Sequence, residues 1–281
     1  MPGSLPDIED FSLSLEMIYL LVLINNHICT LMALLLPLIN QLFNGIIWRL
    51  EIDELSETLF IEVRNEQEKQ VSFSAVSLNS GETYFKDLVT PERWLTGMEA
   101  AYNGVLLLHN YQSENGPLHK GVIAVDALSG ETLWSNYTCV FDHLSANGPV
   151  LYDTRMQPRK LFLADVKTGA TIGPYQPSAY DELASSIVVP EQPTPDDLTL
   201  PLPPFGNSVH YLEYNNFRIV SLHTIQAEAL QQWLYVMDGT GIIYEDLLNT
   251  DIQKLQPEAF ILHKNRLIYI KNKSQLIVIN L

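Results

Sequence analysis

A turn that recurs at intervals of roughly 40 residues constrains this chain more than any other feature of its sequence. In Gly121-Val-Ile-Ala-Val-Asp126-Ala-Leu-Ser129-Gly130-Glu-Thr-Leu-Trp134 an apolar strand ends in Asp, a tight turn runs through Ser-Gly, and a second strand ends in Trp. Leu161-Phe-Leu-Ala-Asp165-Val-Lys-Thr168-Gly169-Ala-Thr-Ile172 keeps the same interval from Asp to Gly. Ser74 to Phe85 repeats the layout around Ser77 and Gly81, and Leu234 to Tyr244 does so around Asp238 and Gly241 with a turn one residue shorter. Leu276-Ile-Val-Ile-Asn280 supplies a further strand and an Asn. Gly offers positive φ to the hairpin turn, and Asp or Asn bonds the turn backbone from the strand end. The aromatic residue that follows is expected to pack between neighbouring sheets.

Another β-rich run precedes each hairpin: Leu59 to Val63, Val105 to Leu108, Pro149 to Tyr152, Phe217 to Leu222 and Arg266 to Ile270. Shorter strands, such as Met98 to Tyr102 and Val209 to Tyr214, precede most of those, which makes three to four strands per repeat. The turn glycines 81, 130, 169 and 241 leave one interval too long, and that interval contains residues 174–206 with 8 of the 16 prolines. Proline that dense has no place in central strands. It predicts one long loop inserted between two repeats. Five repeats of this size predict an all-β chain folded as a β-propeller of about five blades over residues 42–281.

Such a ring must close. Gly45-Ile46-Ile47-Trp48 closely matches Gly241-Ile242-Ile243-Tyr244, which predicts that Gly45 to Leu50 pairs with Leu276 to Asn280 and buries Trp48 in the last blade. The competing placement makes Trp48 to Asp53 the innermost strand of the first blade, only ten residues ahead of Thr58.

Residues 1–41 are expected to form an apolar, helical N-terminal extension. Leu15 to Leu36 is long enough to span a bilayer, but Asn25, Asn26 and His27 fall near its middle. Asp7, Glu9, Asp10 and Glu16 precede or open it and the first basic residue is Arg49, unlike a secretory signal. Three readings stay open: a membrane anchor through residues 15–36, helices packed on the main domain, or residue from an upstream start with Met17 or Met32 as the natural one. In each, the rest of the chain is expected in the cytoplasm.

The 281 residues carry 16 basic and 33 acidic side chains, a net charge of −17. That balance argues against nucleic acid and anionic membrane surfaces as partners. A hydrophobic content of 47% excludes a disordered chain. Cys29 and Cys139 have no pairing by spacing and read as two thiols in a reducing compartment.

Ala124, Asp126, Ser129, Gly130 and Trp134 fill the Ala-x-Asp-x-x-Thr/Ser-Gly-x-x-x-Trp pattern, and this segment resembles the repeat of the pyrroloquinoline-quinone-type (quinoprotein-like, WD40-like) propellers. Ala164, Asp165, Thr168 and Gly169 match in part. The resemblance implies a fold without its cofactor, since no residue here corresponds to the calcium ligands of true quinoproteins. Phe43 to Leu88, with Asn44-Gly45-Ile-Ile-Trp48-Arg49 and Phe60-Ile-Glu62-Val-Arg64-Asn65, resembles an uncharacterised bacterial family of unknown function. That likeness brings no activity with it.

The sequence holds no Gly-x-Gly-x-x-Gly or Walker motif, no zinc spacing and no Gly-x-Ser-x-Gly elbow. His143, His210 and His263 fall on or near innermost strands, but in registers too different to converge on a metal in a central channel. Asp181-Glu182 and Asp196-Asp197 read as solvated loop charge. Trp48, Trp134 and Trp233 read as blade packing, which leaves Trp94 for a surface contact. No catalytic or binding residues, no metal and no cofactor are assigned. The expected role is binding or scaffolding of a protein or small-molecule partner. An enzyme, either a hydrolase or a quinone-type oxidoreductase using the central funnel, is the rival class.

Overall fold

The computed structural model describes residues 35–114, 116–177, 183–191, 198–206, 208–256 and 259–281. Among them all regular structure is strand, arranged in five separate antiparallel sheets. No described helix is long and apolar enough to cross a membrane. The apolar segment 15–36 lies almost wholly outside the described residues, as does Cys29, while Cys139 is a buried free thiol.

The chain enters on β1 (Pro37–Leu42) and then builds its first sheet from β2 (Ile46–Asp53), β3 (Thr58–Asn65), β4 (Gln70–Ser77) and β5 (Thr83–Leu88). The second sheet is β6 (Thr96–Tyr102), β7 (Val105–Ser113), β8 (Gly116–Asp126) and β9 (Thr132–Asn136). The third is β10 (Cys139–Ser145), β11 (Gly148–Asp153), β12 (Leu161–Ala164) and β13 (Thr171–Pro174). After β14 (Ile187–Val188), the fourth is β15 (Val209–Tyr214), β16 (Phe217–Gln226), β17 (Ala229–Asp238) and β18 (Gly241–Asn249). The last sheet contains β19 (Phe260–His263), β20 (Arg266–Lys271) and β21 (Gln275–Asn280), in the order β1-β21-β20-β19-β14.

The second strands are apolar runs because both their faces are covered. Leu59 to Ile61 and Val105 to Leu108 are fully buried, whereas the fourth strands β5, β9 and β13 stay largely exposed. Apolar side chains from paired sheets interdigitate. Phe60, Phe73 and Ala75 of the first meet Met98, Leu106 and Leu108 of the second. Val105 and Leu107 meet Leu151 and Ala164 of the third. Leu59, Ile61 and Val76 meet Ile268, Leu276 and Val278 of the last, which in turn packs on the fourth. Contacts therefore run third, second, first, last, fourth. Among the described residues no apolar cluster joins the third sheet to the fourth; the free face of the fourth, with Val209, Val220 and Leu222, is covered by Leu198, Leu200 and Leu202.

The recurring turns take the expected form. Oδ1 of Asp126 accepts the amides of Leu128 and Ser129 at 3.0 and 2.9 Å, and the Gly130 amide donates to the Asp126 carbonyl at 2.9 Å. Asp165 does the same for Lys167, Thr168 and Gly169, and Ser77 Oγ stands in for the carboxylate before Gly81. Gly130 and Gly169 both have φ of +72°. Space demands glycine as well, because the preceding repeat's aromatic residue lies on the turn. A Cβ at Gly130 would stand 3.2 Å from Phe85, and one at Gly169 only 2.7 Å from Trp134. Trp134 Nε1 also donates to the Val166 carbonyl at 2.8 Å.

Three expectations are corrected. Gly45 to Leu50 does not pair with Leu276 to Asn280: β2 pairs with β3 (Ile47↔Val63, Leu50↔Ile61), and Trp48 is 63% exposed. The place beside β21 is already taken by β1, and β2 turns directly into the hairpin with β3. The strand that covers β21 is instead β1 (Ile39↔Val278, Asn40↔Ile277), so the line drawn between residues 41 and 42 falls inside a strand. Finally, the Pro-rich stretch is not one structureless loop. Its described part holds β14, which pairs with β19 (Ile187↔His263), and a bridge from Glu191 to Tyr211.

Two outcomes follow. Gly169→Ala should lower unfolding free energy more than Gly130→Ala in urea titrations, both by on the order of 1 kcal/mol or more. A chain begun at Gly45, without Ile39 and Phe43, should melt well below one begun at Leu35 and aggregate through the bare β21 edge.

Candidate functional site

The polar and aromatic side chains that the fold gathers lie at the seam between the first and second sheets. Alternation along β3 sends Val63 into the core and leaves Glu62 and Arg64 on the side of the second sheet. Glu62 Oε1 accepts Arg64 Nε at 2.8 Å and lies 2.7 Å from Nη2, while Oε2 accepts the Met98 amide at 2.9 Å. Arg49 of β2 crosses the same seam, donating to the carbonyls of Met98 and Glu99 at 2.7 and 2.9 Å. These bonds grip β6 where its pairing with β7 slips between Met98 and Ala100, which makes Glu99 the extra residue of a β-bulge.

Aromatic rings surround the Arg64 guanidinium. Its centre is 4.9 Å from the Trp48 ring, 5.7 Å from Trp94 and 5.8 Å from Tyr111, and Lys69 Nζ is 4.7 Å from Trp94. Such approaches are attractive because the ring face is electron-rich. Arg64, Trp94, Leu95 and Tyr111, with the hairpin around Glu114 and Gly116, enclose a cleft of about 380 Å³. A second cleft of about 490 Å³ opens on the far side of Trp48, between β2 and the strands β18 to β20.

Behind Tyr111 stand two histidines. His109 and Tyr111 share a face of β7, and β8 sets His119 opposite Tyr111. The imidazoles stack at 3.6 Å, and the Tyr111 ring meets both edge-on. Both Nδ1 atoms approach one oxygen, Glu99 Oε1, at 3.2 Å from His109 and 2.7 Å from His119. Burial alone would raise the Glu99 carboxyl, but the His109 and His119 imidazoles facing it hold it below the ordinary carboxylate value.

A second cluster joins Glu54 and Glu57, from the β2–β3 turn, to the fully buried His263. Its carboxylates are already committed. Glu57 binds Lys264 and, at 2.9 Å, Arg266, and Glu54 accepts the Ser186 amide at 2.6 Å. This cluster is a clasp holding the β14 segment and the first sheet to the last.

Of the histidines singled out in the sequence, His143 pairs with Asp142 at 2.7 Å and meets the Tyr175 ring. His210 is buried on β15 and His263 belongs to the clasp, so the three stand on different sheets. Asp181, Glu182, Asp196 and Asp197 lie outside the described residues. Trp134 packs between sheets and Trp233, on β17, is half-buried on the free face of the fourth sheet, but Trp48 is exposed. Trp94 does belong to a surface cleft. Sequence reasoning missed Arg64, Glu99, His109, Tyr111 and His119. The His109-x-Tyr111 alternation, with a hairpin returning His119, was the signal for three of them.

A family model described as a domain of unknown function (DUF4905) matches residues 52–134. That span contains Glu62, Arg64, Trp94, Glu99, His109, Tyr111 and His119, and excludes Trp48. No curated protein matches the chain. Among solved structures, it is similar to Raptor from Chaetomium thermophilum at 8% identity and a TM-score of 0.28, over 87% of this chain and 28% of that one. The chain thus spans little more than a quarter of that protein's length.

The Glu62–Arg64 pair is nearly buried, with side chains 2% and 16% exposed. Glu62→Ala leaves the guanidinium and the Met98 amide without their acceptor, and should destabilise the fold by about 3 kcal/mol in denaturant melts.

Proposed function

We propose that this chain is a five-bladed β-propeller of the pyrroloquinoline-quinone-like repeat type that serves as a binding module. Its ligand is a small, planar molecule carrying an anionic group, held in the Arg64–Trp94–Tyr111 cleft. Five successive antiparallel sheets, with β1 completing the last, support the propeller reading. The observation that carries the binding reading is the convergence of Arg64 and Lys69 on the Trp94 ring at the edge of an aromatic cleft. Binding clefts combine apolar walls with a few placed polar groups in this way. A chain of net charge −17 repels anions over most of its surface; Glu62 offsets the charge of Arg64, so here the guanidinium serves as a hydrogen-bond donor and Lys69 supplies the net positive charge. The one acidic residue of the lining, Glu114, is exposed and its charge is screened by solvent. Propellers place function in such clefts while the sheets stay rigid.

Benzoate and phenyl phosphate should quench tryptophan fluorescence saturably, and benzylamine should not. Trp94→Ala should abolish the response, and Arg64→Gln should weaken binding by about tenfold or more, the worth of a charged hydrogen bond. Equal responses to benzoate and benzylamine, or an unaffected Arg64→Gln variant, would refute the assignment.

A further inference from the structure

We infer that Glu99, His109 and His119 form a binding site for a first-row divalent metal ion of the Zn²⁺ type. One ring nitrogen each of His109 and His119 and a carboxylate oxygen of Glu99 lie within 4.8 Å of one another, on three adjacent strands of the second sheet. Ligands about 2.0–2.1 Å from a tetrahedral zinc stand about 3.3 Å apart, so the 3.2 Å from His109 to Glu99 already suits an ion. The 2.7 Å from His119 to Glu99 must open by a few tenths of an ångström.

The second observation is independent of this spacing. His109 is 1% exposed, and among the described residues neither of its ring nitrogens has a hydrogen-bond partner; Nδ1 makes only the 3.2 Å approach to Glu99. A buried polar atom left in that state costs about 1–3 kcal/mol, and an ion at Nδ1 would satisfy it. The backbone reserves the place for that ring. A Cβ on Gly97, the residue opposite His109, would lie 2.9 Å from the imidazole Cε1 and 3.0 Å from Nε2. The bulge at Glu99 brings the carboxylate to the same spot.

The ligand chemistry sets the class of ion. Two imidazoles and one carboxylate suit zinc, cobalt or nickel, whereas magnesium and calcium take oxygen ligands. Three protein ligands also leave a coordination position open. The clasp at His263 makes the contrast, because Lys264 and Arg266 already neutralise Glu57. Among the described residues no lysine or arginine is paired with the Glu99 carboxylate, which faces only the two imidazoles. Because the rings are parallel at 3.6 Å, an ion between them would sit out of both ring planes. Loading therefore turns the His119 ring, whose side chain is 33% exposed, while His109 stays fixed between Gly97 and Tyr111. The same exposure is the ion's way in.

The test uses the full chain, stripped with a chelator and titrated with ZnCl₂ by calorimetry and with CoCl₂ by visible absorption. One equivalent should bind, with Co²⁺ developing the d–d bands of a low-coordinate nitrogen–oxygen site. His119→Ala and Glu99→Gln should each lower affinity by at least about tenfold, and Glu57→Gln should leave it unchanged. Circular dichroism checks folding, and His119→Gln replaces the alanine variant if that one fails to fold. A folded wild-type chain that takes up no stoichiometric ion, or a His119 variant that binds as the wild type does, overturns the site.

Discussion

The pairing of β1 with β21 is the interaction on which the remaining architecture depends. β21 is apolar through Leu276 to Ile279 and buried, so its outer edge is a row of backbone donors and acceptors that water cannot reach. β1 satisfies that edge, and its Ile39 joins Leu276 and Val278 in the cluster between the first and last sheets. The connection onward is short and tightly held. Phe43 and Ile47 donate their amides to the Ser274 and Lys273 carbonyls at 2.9 and 2.7 Å. Gly45, with φ of +148°, lies so close to Arg64 that a Cβ would stand 2.7 Å from its carbonyl oxygen. The tie that joins the first and last described strands therefore also positions the strand that carries Glu62 and Arg64.

Charged side chains cross several seams, as Glu57 does to Lys264 and Arg266 and Asp246 to Lys271. At the seam between the first and second sheets Arg49 and Glu62, the partner of Arg64, reach across to the backbone of β6. Buried ion pairs of this kind contribute little net stability compared with apolar packing. What they do is fix geometry. They hold the bulge of β6 in register, and the bulge aims Glu99 at His109 and His119. Arg64 links this polar interior to the aromatic cleft outside, because the guanidinium that Glu62 anchors is the one that Trp48, Trp94 and Tyr111 surround.

Much of this was legible because it is local. Asp126 to Gly130 and Asp165 to Gly169 encode their turns within five residues, through a carboxylate that bonds the next amides and a glycine that takes positive φ. The β-rich runs Leu59 to Val63 and Val105 to Leu108 announced strands, and strands they are. The site was legible only in fragments. His109 and Tyr111 alternate as neighbours on one strand face must, but Glu99 reaches them through a bulge that no local residue pattern marks.

The sequence by itself determined the elements: an all-β chain, recurring hairpins, and glycines at the positive-φ positions of their turns. Tertiary structure alone decided the partners. Gly45 to Trp48 and Gly241 to Tyr244 are nearly alike in sequence, yet the first begins an inner strand beside β3 and the second an outer strand beside β17. Period-2 alternation says which side chains share a face and nothing about which sheet that face will meet. The choice of partner depends on edges and cavities made by residues hundreds of positions away, as β21 made one for β1. Glu99, His109 and His119 acquired a common centre for the same reason: three strands, a bulge and the space left by Gly97 had to be assembled first.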